Sequence, residues 1–109
     1  MSDWREKPEI DTQTVSTLVG AVGESVFREM REQFVTDLTS LTASYARARA
    51  AGNDAEAQAA AHALKGAASN IGLLRLAALA SRLESGETGD AAHLDAELGT
   101  ALVRLEGAV

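Results

Sequence analysis

Cysteine is absent from the 109 residues, which excludes disulfides and leaves the redox compartment open. Proline occurs once, at Pro8, so about a hundred residues follow with no ring to break a helix. Aromatic residues make up 4% of the chain, too few for a platform on which nucleic-acid bases stack. Positive charge is also short. Ten Lys and Arg face sixteen Asp and Glu, for a formal charge of −6, which argues against nucleic acid or an anionic membrane as partner. No apolar run approaches the length of a membrane span. The opening Met1-Ser2-Asp3-Trp4-Arg5-Glu6 lacks the charged-then-apolar layout of a signal peptide, so a cytoplasmic protein is expected. The length fits one domain that can bury a modest core without a metal or a staple.

What is present is Ala, Leu, Glu and Arg in abundance, all good helix formers, and no alternating strand pattern. The expected fold is all-α. Residues 1–10 read as an N-terminal arm, with Trp4 either a peg on the domain or simply exposed. Residues 11–109 read as the domain. Asp11 is a plausible N-cap for a short helix over Thr12–Ala21, with Val15, Leu18 and Val19 as its apolar face. A long helix over Glu24–Ala51 follows. Its Phe27, Met30, Phe34, Leu38, Leu41, Tyr45 and Ala48 step by three or four, as core packing requires. Gly52 stops it, and Asn53 or Asp54 caps a third helix to Asn70. Leu73–Ser85 follows, with Leu73, Leu76, Ala77, Ala80 and Leu83 inward. Ser85–Asp90 reads as a loop. The last helix is expected over Ala91–Glu106, with Leu94, Leu98, Ala101, Leu102 and Leu105 inward. Four amphipathic helices on short connections predict an antiparallel up-and-down four-helix bundle, capped at one end by the short N-terminal helix. A monomer is expected.

The stretch His62-Ala-Leu-Lys-Gly-Ala-Ala-Ser-Asn-Ile-Gly72 stands out from this plain pattern. On a helix, Lys65, Gly66 and Ser69 fall within roughly 60° of His62. Ala57, Ala60, Leu64, Ala67 and Ile71 gather on the opposite side, flanked by Ala61 and Ala68. The imidazole therefore crowns the solvent face, where its free nitrogen is a nucleophile. Lys65 can neutralise an anion bound to that nitrogen. Gly66 costs about 1 kcal/mol against alanine in a helix, a cost that a needed vacancy beside the ring would explain. Ser69 could donate to an oxyanion. The set suits an anionic group carried on nitrogen, and phosphoryl is the natural candidate.

His62-x-Leu64-Lys65-Gly66, with Gly72 ten residues after the histidine, resembles the signature of histidine-containing phosphotransfer (HPt) domains. The long preceding helix with Phe34 and Leu41, and the later Leu76…Leu83-Glu84, extend the resemblance over most of the chain. It implies that His62 exchanges a phosphoryl group, at Nε2, with aspartates of receiver domains in response regulators or hybrid histidine kinases. It implies as well that Lys65 balances the phosphoryl charge and Gly66 leaves room for the receiver. No cofactor is expected on this chain, and Mg²⁺ is expected on the partner receiver. The role is that of a phosphocarrier intermediate in a bacterial-type phosphorelay rather than an ATP-using kinase.

Glu84 is placed by a separate count. If the turn at Gly72 makes its flanking helices antiparallel, His62 and Glu84 both lie roughly 15–18 Å from it, at similar height. Glu84 falls about 20° from Leu73, within the inward stripe, where a carboxylate needs a partner. The position also resembles one where some HPt domains set a polar side chain against the histidine's Nδ1, so the expected contact is a hydrogen bond from His62 Nδ1–H, which fixes the tautomer and frees Nε2. The alternative is a carboxylate in a fraying last turn, pointing to water. His93, with Asp90 three residues before it, lacks the second half of a metal motif and reads as a surface residue or part of the last helix's first turn. The receiver-facing surface is expected to hold Gln58, His62, Lys65, Gly66 and Ser69, with Val15 and Leu18 as apolar contacts. A kinase dimerisation domain fits less well, because Ala63 follows the histidine where those domains carry an acidic residue and then a proline. The other alternative is a non-catalytic bundle that binds or sequesters a response regulator.

Overall fold

The computed structural model describes residues 3–108. Residues 1 and 2 of the expected arm and residue 109 of the expected domain lie outside the described residues. Within them are five α-helices and no strand: α1 (Thr12–Val22), α2 (Glu24–Ala50), α3 (Asp54–Asn70), α4 (Leu74–Glu84) and α5 (Leu94–Glu106). Two short 3-10 turns, Trp4–Glu6 and Thr88–His93, precede α1 and α5.

The caps are those the residue types dictate. Asp11 accepts a hydrogen bond from the Gln13 N–H at 3.1 Å and starts α1. Asn53 accepts from the Glu56 N–H at 3.1 Å and starts α3. Gly72 turns the chain between α3 and α4 with φ +81°, which side chains other than glycine rarely adopt. A Cβ there would also stand 3.0 Å from Thr14 Cβ and 3.1 Å from the Asp11 carbonyl oxygen. The Asp11 N–H donates to the Gly72 carbonyl at 2.7 Å, so α1 closes this end of the molecule.

Helix α2 packs on α3 and α5, and α4 packs on the same two, while the diagonal pairs do not meet. That is an up-and-down bundle of α2–α5. Phe27, Leu38, Tyr45, Leu64, Ile71, Leu73, Leu76, Leu79 and Leu105 are among its buried residues. On α3 the inward residues are mostly alanines, Ala57, Ala60, Ala61 and Ala68, which let it lie close to both neighbours. Ala67, expected in that stripe, is only half-buried.

Two expectations are corrected, and a third is narrowed to one of its alternatives. The last α-helix starts at Leu94, not Ala91, because Thr88–His93 winds as a 3-10 turn. Arg82 holds that turn by donating to Asp90 at 2.6 Å, and its guanidinium keeps the Asp90 carboxyl below its usual range. Of the two alternatives for Trp4 in the arm, the peg is the one found. Trp4 is buried as a peg beside α4, and Arg75 of α4 donates to the Lys7 carbonyl at 2.9 Å and pairs with Glu9. Arg104 of α5 takes the other oxygen of Glu9, so the arm is strapped across two helices. Val15 is 4% exposed, because α1 turns its apolar face onto the bundle to pack with α2. It is therefore core, and only the half-buried Leu18 remains at the surface.

Among the described residues, no helix is long and apolar enough to cross a membrane. None of their His, Cys, Asp and Glu gather in threes as a metal would need.

Candidate functional site

His62 projects from the middle of α3 with 70% of its side chain exposed. Antiparallel packing of α3 on α4 brings the last residue of α4, Glu84, to the same height. Nδ1 of His62 lies 2.9 Å from Glu84 Oε1. Lys65, one turn along α3, places Nζ 2.9 Å from the other carboxylate oxygen. That oxygen is closed to solvent and accepts no well-angled hydrogen bond, so the Lys65 contact is an ion pair held by charge rather than direction.

The electrostatics settle the tautomer. The Lys65 ammonium first, and the His62 ring second, hold the Glu84 carboxyl below the usual carboxylate range. An ionised carboxylate can only accept, so Nδ1 must carry the proton. In the neutral ring the lone pair then sits on Nε2. A nucleophilic nitrogen is thus presented at the surface while the other is anchored.

Gly66 is exposed one turn from His62, and a Cβ at this position would meet nothing within 4 Å. Packing within the chain does not demand glycine here. Gly20 and Gly99 are equally open, so openness alone marks no site. What distinguishes Gly66 is its place beside the ring. Ser69 is exposed on the same face and takes no part in the hydrogen-bonded set. Lys65, expected to balance the charge of an anion on the ring, is paired with Glu84 in the unliganded chain. Gln58 was expected on the receiver-facing surface. Its Nε2 donates to the main-chain carbonyl of Glu84 at 2.9 Å, a link that a main-chain acceptor leaves invisible in sequence. Leu18 and the core residue Val15 lie on α1, which closes the Gly72 end of the bundle, ten residues along α3 from His62.

His93, the second histidine, lies elsewhere. It is the last residue of the 3-10 turn before α5, with its ring centroid 5.8 Å from that of Trp4. Its Nε2 is 3.0 Å from an Arg5 guanidinium nitrogen.

The bundle holds the His62 imidazole clear of its surface, anchored at Nδ1 and open at Nε2, an arrangement that leaves one ring nitrogen accessible to a ligand or partner. The family model described as the Hpt domain matches residues 29–108, most of α2 and all of α3–α5, and the chain belongs to that family. Members take part in histidine phosphotransfer within phosphorelays and interact with receiver domains. The arm and α1 lie outside the matched span. No curated protein and no solved structure matches the chain significantly.

Proposed function

We propose that the chain is a phosphocarrier in which His62 takes a phosphoryl group from a receiver-domain aspartate and passes it to another. The Nε2 lone pair attacks phosphorus in line, the N–P bond forms as the acyl phosphate P–O bond breaks, and the receiver's carboxylate departs. The ring becomes cationic, and Glu84, accepting from Nδ1–H, stabilises that charge. The return step runs the same bonds backwards onto a second aspartate. Lys65 sits between Glu84 and the incoming charge and is shared between them. Gly66 leaves the approach unobstructed. Mg²⁺ belongs to the receiver in this scheme, and one copy of the chain holds every group the carrier must supply.

The observation that carries the reading is the pairing of Nδ1 with Glu84 beneath a ring that is 70% exposed. The test is incubation with a receiver labelled on its aspartate. Label that is acid-labile and base-stable, present on the native chain and lost in His62→Gln, is the expected result. Stable binding of the receiver with no label transferred would replace this reading with sequestration of the regulator.

A further inference from the structure

The last turn of α4 ends in a Schellman arrangement. Gly86 takes φ +91°, its N–H donates to the Leu83 carbonyl at 3.1 Å, and the Glu87 N–H donates to the Arg82 carbonyl at 3.0 Å. The Ser85 N–H donates to the Ser81 carbonyl at 3.1 Å. Three of the four terminal carbonyls are thereby satisfied from the main chain. The fourth, that of Glu84, accepts a hydrogen bond from Gln58 of α3. The turn has little else beneath it on that side, because a cleft of about 270 Å³ opens there, lined by Tyr45, Ala57, Gln58, Leu83, Glu84 and Ser85 among others.

Gln58, His62 and Lys65 are spaced i, i+4, i+7, so they form one edge of α3. All three hold the same residue: Gln58 its main chain, His62 and Lys65 its side chain. We propose that Gln58 is a positioning residue for the phosphoacceptor, holding the α4 terminus so that the Glu84 carboxylate stays on Nδ1 and Nε2 stays free. The inference rests on the phosphocarrier reading for its consequence in transfer, but its geometric content can be measured without a receiver.

Gln58→Met keeps the reach and removes the donor, and Gln58→Lys restores a donor. In ¹⁵N spectra of the unphosphorylated protein, Gln58→Met is expected to shift the neutral His62 ring from the Nδ1–H form toward the mixture of a free imidazole. Its Glu84 carboxyl is expected to titrate closer to the ordinary range, and Gln58→Lys to return both. Transfer from a labelled receiver should slow several-fold in Gln58→Met and recover in Gln58→Lys. In a Glu84→Ala background Gln58→Met should change neither tautomer nor rate, since the residue it acts through is gone. Unchanged tautomer and Glu84 titration in a folded Gln58→Met protein would overturn the proposal while leaving the phosphocarrier reading intact. So would an undiminished effect in the Glu84→Ala background. Loss of transfer in the native chain, with the tautomer shift present, would sink the phosphocarrier reading and keep the positioning role.

Discussion

The two histidines differ less in exposure than in which nitrogen is engaged. His62 gives Nδ1–H to a carboxylate and keeps Nε2 open. His93 has Nε2 against Arg5, and since a guanidinium can only donate, that nitrogen spends its lone pair as acceptor. One ring has a partner that would stabilise a positive charge on it, and the other has a partner that would repel one. An exposed histidine is thus no site by itself. The sign and the position of its neighbour decide whether it can carry an anionic group.

The sharpest way to break that comparison is to remove each ring in turn. His62→Gln is expected to abolish label uptake from a phosphorylated receiver, and His93→Gln to leave it unchanged. Label persisting in the first variant would mean that the open Nε2 is not the acceptor. Next in size is Glu84→Ala, which lets the ring choose its tautomer and leaves the phosphorylated ring without a counter-charge. Transfer is expected to fall on the order of tenfold or more, the scale on which partners that orient a histidine matter. Glu84→Gln keeps an accepting oxygen and loses the charge, so its rate should fall between the two.

The bundle was legible because each helix carries its own stripe. Phe27 to Ala48 and Leu73 to Leu83 repeat at helical spacing, and every residue of those two stripes is buried or half-buried. The His62–Glu84 contact was legible for a related reason. A tight turn at Gly72 reduces a three-dimensional question to counting residues along two antiparallel rods. The Gln58 link lies in the same hairpin yet stayed hidden, since its acceptor is a carbonyl that every residue has. The strap of the arm was hidden by distance, because Glu9 meets Arg75 and Arg104 across 66 and 95 residues of chain. The 3-10 start at Thr88 was hidden because periodicity barely separates a 3-10 turn from the first turn of an α-helix. The apolar face of α1 was read correctly, but not what it would face.

The pH dependence of stability separates the Glu84 carboxylate from a second one, Glu97 on α5. Lys65 and His62 lower the Glu84 pKa in the folded state. Below that value both folded and unfolded chains are protonated. Above the unfolded value, the pairing contributes its full stabilisation, which is lost as pH falls through the lowered folded value. Glu97 is 8% exposed with an oxygen that has no hydrogen-bond partner, and burial pushes its pKa up. Its sign is opposite: stability falls as pH rises from the unfolded value through the raised folded one. At pH 7, Glu97→Gln is expected to raise the melting temperature by about a few degrees, and Glu84→Gln to lower it. At a pH below all of these values the two differences should shrink together. Thermal unfolding over a series of pH values from 7 downward checks both signs.

The smallest effect is expected at His93. In His93→Ala, Arg5 loses its acceptor on the ring but still lies 4.6 Å over the Trp4 ring and pairs with Asp3 at 3.3 Å. These are exposed contacts, and such changes usually move stability little. The melting temperature should therefore fall by less than about 3 °C. Trp4 emission should move slightly to the red as one wall of its site opens, and label uptake at His62 should be untouched. A large loss of uptake would mean that the strapped arm governs the α4 terminus, through the Trp4 that lies along a cleft with Ser81 and Arg82. The two histidines would then be coupled across α4 rather than independent.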